Sequence, residues 1–162
     1  MTSPDRATNE SPKQVVTPNH PISKSGLNSE LARVRSATAT YHKVSNAEAD
    51  GYVQTSPFVP GMGYHYLNGG LVDGQVDITS PEALVYVDNP AKDSKRRLVA
   101  VEYIIPKPII PDKSDLPDLF SGDSDHWHFE DEIHAWTLHA WVWYPNPEGM
   151  FHPTNPRVGS GS

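Results

Sequence analysis

Hydrophobic and polar positions divide the chain into three regimes. Residues 1–26 are rich in Ser, Thr, Pro, Asn and charge and have no apolar period, the pattern of a disordered polar tail. From residue 27 onward Leu27, Leu31, Val34, Thr38, Tyr41, Val44 and Ser45 recur at steps of three and four, interleaved with Ala32, Ala37, Ala39, Ala47 and Ala49. This spacing predicts one helix over residues 29–50, about 22 residues and roughly 33 Å long. Asn28 or Ser29 would cap it and Gly51 would stop it. Beyond Gly51 the apolar period shortens to two. Residues 52–59, 64–67, 83–87, 98–105 and 133–144 read as strands rich in Val, Ile, Tyr and Trp.

The connections carry turn chemistry at Pro60-Gly61, Asn68-Gly69-Gly70, Asp73-Gly74 and Asp88-Asn89-Pro90. The short link between Val87 and Leu98 favours an antiparallel hairpin. No second long helix is available for βαβ crossovers, which argues against a doubly wound parallel sheet. The expected fold is α+β, with one N-terminal helix packed on a curved antiparallel β-sheet or small open β-barrel. It would form a single domain over 27–158, followed by a flexible Gly/Ser tail at 159–162. Residues 106–125 form a long proline-punctuated connection in which 116–120 suggest one helical turn. Such a stretch is a lid or a surface excursion pinned by Leu119 and Phe120, and the two readings are compatible. No repeat of twenty to fifty residues occurs, which excludes a solenoid or propeller.

Composition narrows the function classes. The 162 residues include 13 basic and 20 acidic side chains, a formal charge of −7, which argues against a nucleic-acid surface. The one basic cluster, Lys92, Lys95, Arg96 and Arg97, reads as a solvated hairpin turn. Absence of cysteine removes disulfides, thiolate chemistry and Cys-type zinc sites, leaving imidazole and carboxylate for any metal. No apolar run reaches the length of a membrane span, and residues 1–19 lack the hydrophobic core of a signal peptide.

Three strand-like runs each place one ionisable group among apolar neighbours: His65 in 63–67, Glu102 in 98–105 and His139 in 133–144. A charge in such a run is costly unless it is met by a partner or neutralised. Two imidazoles and a carboxylate are the ligand types of an open zinc, iron, copper or manganese site. A buried His–Glu–Tyr hydrogen-bond network, or a metal-free acid–base pair acting on a small aromatic substrate, answers to the same residues. Period-two alternation puts His139, Trp141 and Trp143 on one side of the last strand, with His134, Trp136, Leu138 and Val142 on the other. Tyr64, Tyr66, Trp141 and Trp143 are then candidates to line a slot for an aromatic or lipid-like ligand. Alternatively the tryptophans form a homo-oligomer interface. Secondary metal candidates are His126 and His128, two apart in an acidic segment, and Glu82 at a strand mouth. His42 on the helix and His20 in the tail have no evident partners, and His152 follows the last strand near the expected pocket. No phosphate loop, nucleophile elbow or dinucleotide fingerprint is present.

The order of short motifs is distinctive: Ala49-Asp50-Gly51-Tyr52, Pro60-Gly61-Met62-Gly63-Tyr64-His65-Tyr66, Pro81-Glu82-Ala83-Leu84-Val85-Tyr86, Val101-Glu102-Tyr103, and Leu138-His139-Ala140-Trp141-Val142-Trp143-Tyr144-Pro145-Asn146-Pro147. It resembles a family of uncharacterised, often exported proteins of actinobacteria and other microbes, over most of residues 30–158. The resemblance implies no activity. It does place His65, Glu102 and His139 inside shared motifs and His126 and His128 in a variable stretch. It also implies an extracellular or cell-envelope location.

Overall fold

The computed structural model describes residues 24–89, 96–121 and 127–159. Residues 1–23 of the expected tail, most of the basic turn, His126 and the last three residues lie outside the described residues, whereas residues 24–26, also assigned to the tail, open the first helix.

Helix α1 spans Lys24–Thr38 and runs into a 3-10 turn at Ala39–His42, and helix α2 spans Val44–Ala49. The single helix predicted over 29–50 is therefore broken, and Asn28 and Ser29 lie inside α1 rather than capping it. The break follows from residue type: Thr38, Thr40, Tyr41, His42 and Val44 are all poorer helix formers than the alanines around them. Thr38 Oγ1 also donates back to Val34 O at 2.8 Å, a bond that loosens a helical turn. Lys43 is extended (φ −92°, ψ 110°), and Asn46 Nδ2 donates to Thr40 O at 3.0 Å across the break. The α2 helix then ends just before Gly51, the predicted stop.

Among the described residues six strands follow: β1 Val53–Gln54, β2 Tyr64–Leu67, β3 Ala83–Asp88, β4 Arg96–Pro106, β5 His128–Glu130 and β6 Ala135–Ala140. They form one sheet in the order β1-β2-β3-β4-β6-β5, antiparallel throughout, with β3 and β4 the predicted hairpin neighbours. The outer strands have two and three residues and sit at opposite ends, so the sheet is open and the barrel alternative is corrected.

One face of the sheet carries Tyr66, Leu84, Tyr86, Leu98, Val101, Tyr103, Ile105 and Leu138, which pack with Leu31, Val34 and Ala47 of the helices into the main core. Polar bonds fix the helices on this face. Tyr86 Oη donates to Tyr41 O at 2.6 Å, and Arg35 Nε donates to Val142 O at 2.8 Å. The described part of the excursion, residues 106–121, closes over the same core. Phe120 is fully buried against Tyr103 and Phe151, with ring centroids 5.8 and 5.0 Å apart, and Ser121 N and Oγ both donate to the Glu30 carboxylate at 2.7 Å. Its helical turn lies at Lys113–Asp115 rather than 116–120. Asp112 caps that turn, and Pro117 holds Leu116 out of the helical region.

Candidate metal centre

Alternation from the helix-facing residues sends His65, Ala83, Val85, Ala100, Glu102, Thr137 and His139 to the opposite face of the sheet. Glu102 on β4 and His139 on β6 are direct cross-strand partners, and Ala83 is the β3 partner of Glu102 on its other side. His65 comes from β2, opposite Val85, and must reach across β3 to join them. Ala83 makes that possible, because a single methyl on the intervening strand leaves room above it. His65 Nε2 lies 3.5 Å from Glu102 Oε1, and His139 Nε2 lies 3.5 Å from Glu102 Oε2. One donor atom from each side chain falls within 4.8 Å of the others.

The hydrogen bonds around His65 define its proton. Ser56 Oγ has one proton, which it donates to Pro57 O at 2.8 Å. The same oxygen receives the His65 backbone N–H at 3.0 Å and lies 3.2 Å from His65 Nδ1. With its own proton committed, Ser56 acts as an acceptor there, so Nδ1 carries the imidazole hydrogen and Nε2 presents a lone pair toward Glu102. An ionised carboxylate facing that lone pair at 3.5 Å would be repelled unless a proton or a cation lies between them. His139 is more isolated. It is almost completely buried, and among the described residues neither ring nitrogen has a hydrogen-bond partner, nor does Thr137 Oγ1 beside it.

Burial dominates the titration of all three groups. It holds the His65 imidazole down to about 4. It holds His139 down to about 3, with the charges of His65 and His128 adding to the effect. It lifts the Glu102 carboxyl to about 8, helped by Glu130 and Glu82. An ion pair would move these groups the other way, so desolvation outweighs pairing here. At neutral pH the cluster holds two uncharged imidazoles, the form that binds metals, and a carboxyl that keeps its proton.

The hydroxyls expected in a His–Glu–Tyr network go elsewhere. Tyr103 donates to Ile78 O at 2.7 Å, Tyr66 to Gln54 and Tyr64 to Asp88.

The remaining candidates fall apart in space. Tyr64 and Tyr66 alternate with His65 and face the helix side, Tyr64 under the Arg96 guanidinium and Tyr66 against Tyr86. Trp141 packs with Val85, Val99 and Ala100, and its Nε1 donates to His152 O at 2.7 Å. The predicted alternation of Trp141 with Trp143 ends with β6 at Ala140, where Val142 N bonds back to Ala140 O. Trp143 therefore turns to the helices, with Nε1 donating to Thr38 Oγ1 at 3.0 Å and its ring 4.2 Å from that of His42. His42 thus has a partner after all, and the four aromatics do not line one slot. His128 lies opposite Thr137 on the same face as His139 but outside the three-donor cluster.

Glu82 is likewise outside that cluster. It is buried just before β3, and its carboxylate accepts the Ile104 N–H at 2.9 Å, a backbone donor left open where β3 pairing stops at Ala83. Burial raises Glu82 from 4.5 to about 8. Between those values the unfolded carboxyl has lost its proton while the folded one keeps it, so this contribution to stability falls as pH rises. Glu82→Gln keeps an oxygen for Ile104 and removes the titration. Its stability relative to the unsubstituted protein should climb steadily from pH 5 to 8 in urea unfolding curves, and parallel curves would refute this role.

Sequence reasoning missed Ser56, Ala83 and Thr137. Each is an ordinary residue whose part is visible only once the strand register is known. No protein-family model matches the chain, and no match to it was found among the curated proteins or the solved structures.

Proposed function

We propose that the protein is a metal-binding domain in which His65, Glu102 and His139 hold one divalent transition metal and leave further coordination positions open. The observation that carries this reading is the buried His139 imidazole, unpartnered at both nitrogens and 3.5 Å from the Glu102 carboxyl group, which lies the same distance from His65 Nε2. Buried polar groups of this kind ordinarily have partners, and those that lack one call for an explanation. Geometry supports the reading. At bond lengths of about 2.1 Å, two ligands of a tetrahedral ion are roughly 3.4 Å apart, close to both observed separations. The donor set of nitrogen, nitrogen and oxygen suits zinc, iron, manganese or copper, and the absence of thiolate excludes Fe–S clusters and Cys-type zinc sites.

When bound, such an ion supplies Lewis acidity to whatever occupies its open positions. The chain's own part is to keep the imidazoles neutral, fix the His65 tautomer through Ser56 and shield the cluster from water.

The test uses protein purified without a polyhistidine tag and stripped with chelator. Zinc, cobalt, manganese, copper and ferrous iron are added in turn, and bound metal is counted after gel filtration. Close to one ion per chain is expected for at least one metal. His65→Ala and His139→Ala should each lose nearly all of it, while His152→Ala keeps it. Occupancy below roughly a tenth of an ion for every metal sinks the proposal.

A further inference from the structure

A second feature stands apart from the metal cluster. Between the 113–118 turn and the 148–153 loop lies an open cleft of about 740 Å³, floored by Trp127 and His128 at the β5 edge of the sheet. None of His65, Glu102 and His139 lines it, so a ligand bound there is independent of the metal reading.

We propose that this cleft is a binding site for an uncharged, planar aromatic molecule carrying both hydrogen-bond donors and acceptors, of the heterocyclic amide or phenol class. Its size is within the range of small-molecule pockets. Leu116, Trp127 and Met150 supply apolar wall. Trp127 is mostly buried, 7% exposed, and is fixed by its Nε1 bond to Pro117 O at 3.0 Å, which ties the floor to one wall and holds the exposed part of its ring rigid at the cleft.

Lys113, Asp118 and Glu148 reach the cleft from exposed positions where water screens them. An anion would give up hydration beside two carboxylates, and a cation beside an ammonium, with no buried counter-charge among the described lining residues to offset the loss. A neutral molecule avoids both while using Lys113 as a donor and, as acceptors, Asp118 and the hydroxyl oxygen of Ser114, whose own proton goes to Asp112. The wall-forming segment is part of the proline-punctuated connection, anchored by buried Phe120 and by the bonds from Ser121 to Glu30. A loop held at its base and shaping a cleft at its turn is a common arrangement for ligand recognition.

The probes are 1-isoquinolinone, which is neutral with one donor and one acceptor, and two compounds of similar size, naphthalene and 2-naphthoate. Binding is followed by NMR through the four indole N–H signals, of which only Trp127 belongs to the cleft. Isoquinolinone should shift the Trp127 signal saturably at about millimolar concentration, a normal affinity for so small a ligand. The Trp136 and Trp143 indoles should stay in place, Trp141 being bonded to the cleft residue His152, and 2-naphthoate and naphthalene should each bind at least tenfold more weakly. Leu116→Trp and Ser114→Trp both fill the cleft, Ser114 from an exposed position that leaves the core untouched, and each should abolish the shift. The proposal is overturned if isoquinolinone does not saturate, if 2-naphthoate or naphthalene binds as well, or if the folded Ser114→Trp variant binds undiminished.

Discussion

His139→Leu raises the unfolding temperature of the metal-free protein and abolishes its response to zinc. Leucine has nearly the volume of histidine, so the packing around position 139, where the side chain is 1% exposed, survives the exchange. What the exchange removes are two buried ring nitrogens that have no hydrogen-bond partner. An unsatisfied buried polar group costs about 1–3 kcal/mol. Relief of that cost should lift the melting temperature by about 3–10 °C in a domain of this size. The burial that holds His139 down to about 3 also predicts a pH signature. Because the folded imidazole resists protonation, stability falls as pH drops below the ordinary value of 6.5, and that loss should shrink in the variant.

A structural role predicts the reverse sign. If His139 held the sheet together through Glu102, removing one partner would strand a buried group and cost about 3–5 kcal/mol. Calorimetry of metal-free protein with and without the substitution therefore separates a ligand kept for binding from a bond kept for folding. Alanine at this position does not discriminate as well, because the cavity it leaves destabilises under either reading. A lower melting temperature in His139→Leu, with zinc still bound, would dispose of the metal centre.

The residues of this site were legible in the sequence for a physical reason. Glu102 is the only charge in the apolar core of its strand, and His65 and His139 interrupt similar runs. Period-two alternation correctly assigns such residues to faces wherever a strand persists. Their convergence was not legible. It depends on β2 pairing with β3 through His65↔Val85 while β4 pairs with both β3 and β6 at Glu102, registers set by connections as long as the one between Leu67 and Ala83. The same alternation failed at Trp143, because a bend at Ala140 ends the strand where the composition still reads as β. The helix failed similarly: alanine spacing carried the prediction through Thr38–Val44, where side-chain bonds to backbone and to Trp143 break the turn. Local pattern thus recovered faces and element types, whereas tertiary hydrogen bonds decided boundaries.

Gly63→Ala should be among the most damaging single substitutions in the chain, costing about 3–5 kcal/mol. Gly63 has φ +118°, a conformation that L side chains rarely adopt, and a Cβ there would overlap the carbonyl oxygen of Tyr86. The obstruction is rigid backbone, with the Tyr86 carbonyl carbon 3.2 Å and Val85 Cγ1 3.3 Å from the added carbon. Relief would require β2 to move off β3 at the Tyr64↔Tyr86 pair, which adjoins the His65↔Val85 pair that aims His65 at Glu102. Gly63 also closes the Val59↔Gly63 bridge, which holds the loop carrying Ser56. The folded fraction of the variant should therefore bind metal at least tenfold more weakly, as His65 loses its orientation. Gly149→Ala is the control, because its φ of +126° is equally unusual but, among the described residues, nothing lies within 4 Å of the added carbon. It should show only the conformational cost, about 1–2 kcal/mol, with metal affinity unchanged. Urea unfolding of the two variants side by side isolates the clash from the dihedral. Equal losses in both would mean that β2 yields to a methyl group, and that the His65 alignment is softer than the register implies.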